Sequence, residues 1–87
     1  MQIVTGYLLR EIAGTWIVVP VGERVVQLNG ILSLSESGAL LWKRLEKDAE
    51  KNELVQLLTD EYDVSEANAI TDVEIFLDTL KAKELLL

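Results

Sequence analysis

Residues 28–42 read LNGILSLSESGALLW, and within them the hydrophobic period changes with almost no loop. The run ILSL at 31–34 is strand-like, whereas ESGALLW at 36–42 is helix-like. A strand that ends this abruptly in a helix is expected at the edge of its sheet. Its outer N–H and C=O groups then need a partner from elsewhere.

On either side of this switch the chain keeps a single character. TWIVVPV at 15–21 is aromatic and β-branched, and YLLREI at 7–12 precedes it across Ala13-Gly14, which reads as a tight turn. Pro20 cannot donate to a ladder and should end a strand or sit at an edge. Val21-Gly22-Glu23 then turns the chain. RVVQLNGILSL has two readings: a hairpin at Asn29-Gly30, with a separate strand over 25–28, or one long strand with a bulge. ILSL is a strand in both. Beyond it, Ser35 is a good N-cap for a helix with Leu41, Trp42 and Leu45 on one face. Leu54, Leu57, Leu58 and Tyr62 are helically spaced in 53–62. Ser65 caps a third helix whose stripe is Ile70, Val73, Phe76, Leu77 and Leu80. Short polar links join the three helices. The expectation is one α+β domain over 1–87, β-rich at 6–34 and helical at 35–84, with a small antiparallel sheet preceding three helices.

Two apolar features exceed what such a core needs. TWIVVPV is apolar at nearly every position, so either both its faces are buried or one is an exposed patch. Ile75 lies off the main stripe of the third helix, beside Asp72 and Thr79. It is either the margin of a wide core stripe or a surface with another use.

Composition narrows the chemistry. The 87 residues include no Cys and no His, which removes thiol nucleophiles, disulfides, imidazole bases and the usual zinc ligands. Net charge is −7, and the whole excess falls in 35–87, where thirteen carboxylates face six basic side chains. Such a helical half repels nucleic acid. DEYD at 60–63 lacks the spacing and glycine of a calcium loop, and reads as a solvated helix end. The two glycines of LNGILSLSESG lack phosphate-loop spacing, and no base activates Ser33, Ser35 or Ser37. Trp16 and Trp42 read as core aromatics. No stretch approaches the roughly 18 apolar residues of a membrane helix, and MQIVTGYLLREI is not a signal sequence. A cytoplasmic binding module without catalysis, cofactor or metal is expected.

Taken in order, GYLLREIAGTWIVVPVG, LNGILSLSESGALLW, ELVQLLTDEYDV and DVEIFLDTL followed by LLL resemble the PqqD-like family, over about Gly6 to Leu86. These are small peptide chaperones of pyrroloquinoline quinone biosynthesis and the related RiPP recognition elements. The resemblance implies a three-stranded antiparallel sheet followed by three helices, a winged-helix-like arrangement. It also implies that the leader of a ribosomally made precursor peptide adds as a strand to the third strand, in a cleft against the third helix. A tailoring enzyme, often a radical SAM enzyme, then modifies the precursor. The residues carried over are Gly30, Ile31, Leu32, Ser33 and Leu34 on the strand wall. On the third helix the candidates are Asp72, Ile75, Phe76, Thr79 and Lys83, which share one face. Phe76 belongs either to that wall or to the core. Two features depart from the family pattern. Glu84 stands where a glycine commonly precedes the final leucines, removing an easy left-handed cap, and Glu50 and Lys51 are poor caps for the second helix.

Three rival readings remain. A DNA-binding winged helix needs a basic third helix, and this one carries Glu66, Asp72, Glu74 and Asp78. A homodimerising structural subunit would use the same apolar sheet and free edge without reading a peptide. An enzyme built on carboxylates alone has only their abundance behind it.

Overall fold

A computed structural model describes residues 1–22 and 32–87. Among these, the chain forms strands β1 (Tyr7–Ile12), β2 (Thr15–Pro20) and β3 (Leu32–Leu34), then helices α1 (Glu36–Leu45), α2 (Lys51–Glu61) and α3 (Glu66–Ala82). The three strands form one antiparallel sheet in the order β1-β2-β3. The α+β architecture is the one expected. The Asn29-Gly30 question and the 25–28 strand lie outside the described residues.

Ile12 pairs with Thr15 across Ala13 and Gly14, whose φ values of 51° and 80° are both positive, as a type I′ hairpin requires. β2 is the middle strand and ends at Pro20, where the missing donor costs least. Its inner face sets Trp16 and Val18 opposite Leu34 and Leu32 of β3. Val18 is buried, whereas Trp16 is only half-buried, with the Lys43 ammonium 4.3 Å from its ring centroid. Trp16 is therefore not the core aromatic expected, because the helices leave its end of the strand partly open. On the outer face, Ile17 and Val19 are half-buried beside exposed Leu8 and Ile12 of β1. The continuous apolar run thus has one covered and one largely uncovered face among the described residues.

The core lies between the inner sheet face and the helices. Trp42, Leu45, Leu54, Val73 and Leu80 are almost wholly inaccessible. Ser35 caps α1 by accepting the Gly38 N–H at 3.1 Å, and Ser65 caps α3 through the Asn68 N–H at the same distance. Glu50 does serve as the N-cap of α2. The Glu53 carboxylate three residues on accepts its backbone N–H at 3.2 Å, a use of glutamate that a ranking of single residues misses. Lys51 and Glu74, 2.6 Å apart, tie α2 to α3.

Both ends of the chain join the core. Ile3 is buried and bridges Leu86, and its N–H donates to the Leu45 carbonyl at 2.8 Å. α3 closes with the Glu84 N–H on the Lys81 carbonyl and the Leu85 N–H on the Leu80 carbonyl, the two bonds of a Schellman cap. Glu84 occupies the left-handed position at φ 58°, so the cap forms without glycine, at a backbone cost on the order of 1 kcal/mol. Burial of Leu85 against the core offsets that cost.

Candidate functional site

β3 is terminal in the sheet, so no described strand pairs with its outer edge. The Ser35 cap follows the strand directly and commits the chain to α1, which stops β3 at three described residues. Opposite the edge lies a cleft of about 360 Å³. Leu32, Ser33 and Leu34 line it from the strand, and Asp72, Ile75, Phe76 and Thr79 line it from α3. The helical four recur at i, i+3, i+4 and i+7, which stacks them on one face. Leu41 and Leu58, both buried, form the floor.

The side chains differ in how the fold uses them. Ile75 is 61% exposed and so is not the margin of the core stripe; its apolar surface faces the open cleft. Phe76 is half-buried, packs on the core and also lines the cleft, combining both readings. The Thr79 hydroxyl donates to the Ile75 carbonyl at 3.0 Å, so its polar atom is satisfied within the helix. Asp72 is exposed at one end of the wall. Seven of the ten sequence candidates therefore meet in one cavity. Lys83 caps the end of α3 and does not line this cavity, and Gly30 and Ile31 lie outside the described residues.

Gly38 was not among the candidates. A Cβ there would meet Phe76 Cε1 at 3.6 Å and Leu34 Cβ at 3.5 Å in ordinary contact, and would crowd only the Ser35 Oγ, at 3.3 Å, so the glycine eases the fit of the capping hydroxyl beside the cleft. A glycine inside the first turn of a helix, where it costs about 1 kcal/mol against alanine, was the available signal.

Past Ser35 the cleft opens into a recess of about 290 Å³, which shares Ser35, Ser37, Leu58 and Asp72 with it and adds Glu36, Tyr62 and Val64. Burial first, then the carboxylates of Glu36 and Glu61, push the Tyr62 hydroxyl above its ordinary pKa. Among the described residues no group of three or more His, Cys, Asp or Glu side chains could hold a metal ion. No described helix is long and apolar enough to cross a membrane.

Among the described residues, a three-stranded antiparallel sheet followed by three helices, the last of which walls a cleft beside the terminal strand β3, defines the class of domain. The chain belongs to the PqqD family: the family model for coenzyme PQQ synthesis protein D matches residues 15–86. Comparison with curated proteins finds no match. Two solved structures are similar over almost all of the chain. TbiB1 in complex with the TbiA(beta) leader peptide is 26% identical, with a TM-score of 0.78 over 99% of this chain and 94% of that one. Lasso peptide synthetase B1 complexed with the leader peptide is 20% identical, with a TM-score of 0.75 over 99% and 95%, and speaks for the fold alone.

Proposed function

We propose that this domain is a non-catalytic module that captures the leader segment of a ribosomally synthesised precursor peptide and presents the precursor to a tailoring enzyme, such as a radical SAM enzyme. The observation that carries the proposal is the cleft itself. A strand edge that no described strand pairs with stands beside an exposed apolar helix face, in a chain alike in fold and partly in sequence to a protein solved with a leader peptide. The leader adds to β3 as a further strand. Its backbone meets the outer N–H and C=O groups of residues 32–34, which no described strand engages, and this supplies affinity without reading sequence. Its side chains pack on Ile75, Phe76 and Leu41, which supplies selectivity. Gly30, Ile31 and Lys83 would extend the contact along the strand and at the far end of α3.

Ordering a free peptide costs a few kcal/mol, so backbone pairing and two or three buried apolar anchors bring affinity to between roughly micromolar and nanomolar. Calorimetric titration with the leader half of the precursor encoded beside this chain's gene is expected to give one-to-one saturation in that range. Heats indistinguishable from dilution at high micromolar peptide, for every candidate leader nearby, would overturn the proposal. The domain would then read as a subunit that associates through its sheet.

A further inference from the structure

We infer that the groove beyond Ser35 receives basic side chains of the bound peptide, so that the site selects leaders carrying Lys or Arg immediately N-terminal to the segment that pairs with β3. This rests on the peptide-binding reading above and names the substrate class within it.

Three neighbouring cavities follow one another, each sharing lining residues with the next. The strand-edge cleft shares Ser35 and Asp72 with the recess at Tyr62. That recess shares Ser35, Glu36 and Tyr62 with a third cavity of about 600 Å³, which lies between the β1–β2 turn, α1 and the end of α2. The path therefore leaves the apolar wall and passes over the start of α1 toward Trp16. Its charge is one-sided along the way. Asp72, Glu36, Glu61 and Glu11 line it, and none of the four belongs to an ion pair among the described residues. Among the described residues the ammonium lining this path is that of Lys43, which sits over the Trp16 ring. Both strand pairs of the sheet are antiparallel, and antiparallel pairing is the more frequent mode. An antiparallel addition to β3 runs from the Ser35 end toward Leu32, so the residues just before the pairing segment enter the acidic stretch. A peptide dipped into this groove at low salt feels an attraction that steers encounter as well as holding the complex.

The test uses the neighbouring precursor's leader in two synthetic forms, with Lys-Lys or Glu-Glu directly N-terminal to its β3-pairing residues. Expected is about tenfold tighter binding of the Lys form at low salt, shrinking to within about threefold at 0.5 M salt as the charges are screened. Glu36→Gln/Glu61→Gln should collapse the low-salt difference. Glu46→Gln/Asp78→Asn, which removes the same net charge away from the path, should preserve it. Equal binding of both forms, or equal loss of discrimination in the two double variants, overturns this inference while leaving leader capture in place. Failure of both forms to bind at any salt overturns leader capture and the inference together.

Discussion

Ile75→Asn lowers leader affinity on the order of 100-fold while leaving folding stability within about 1 kcal/mol of the parent. The isoleucine is 61% exposed in the free domain, so unfolding gains little from its replacement. On the proposed binding mode its side chain is covered by the peptide in the complex. Losing that apolar burial removes about 1.5–3 kcal/mol, and an amide left unpaired against the peptide adds a further desolvation cost. Asparagine is neutral, which keeps the result separate from the acidic groove beyond Ser35. It is also too short to extend its polar end into water as lysine would. Ile12→Asn is the matched comparison: Ile12 is 57% exposed, but on the outer face of the sheet. It should bind leader as the parent does. Titration of both variants, with urea unfolding alongside, reads the two effects separately. Equal loss in both would mean that the cleft wall has no special part in binding.

Trp42→Ala destabilises the fold by about 3–5 kcal/mol. Trp42 is 1% exposed and belongs to the central cluster with Leu45, Leu54 and Leu80. A domain of this size has a total stability of roughly 4–13 kcal/mol, so the variant spends a large part of it. The urea midpoint should fall sharply with little change in slope, since the surface exposed on unfolding is nearly the same. Trp16→Ala should cost distinctly less, because that ring is half-buried and meets Lys43 at the surface. A similar midpoint for the two variants would contradict the assignment of Trp42 to the core.

Much of this organisation was legible because local rules and the fold agree. Ser35 and Ser65 are strong caps in the sequence and act as caps in the structure. The period change at 34–36 places the end of β3 and the start of α1 within one residue of each other. Ile75 stood out because helical spacing set it apart from Val73, Leu77 and Leu80, and its exposure follows from that geometry. What was not legible depends on long-range contact. Ile3 is buried only because the chain ends meet, and nothing local in MQIVT announces the bridge to Leu86. The capping role of Glu50 depends on Glu53 reaching back to it, and the left-handed Glu84 on the burial of Leu85. Helical spacing within α1 does not announce Gly38, because its tight neighbour is the Ser35 capping hydroxyl and its other contacts, Leu34 and Phe76, come from different elements.

N-methylation of the leader tests, with the protein unaltered, whether peptide backbone pairs with the outer edge of β3. Each N-methyl group removes one donor and adds bulk on the side where the N–H pointed. In an added strand alternate amides face β3. Every second N-methyl within the pairing segment is expected to weaken binding tenfold or more, with those between them nearly without effect. Uniform tolerance, or losses that follow side-chain hydrophobicity without a two-residue period, would contradict strand addition.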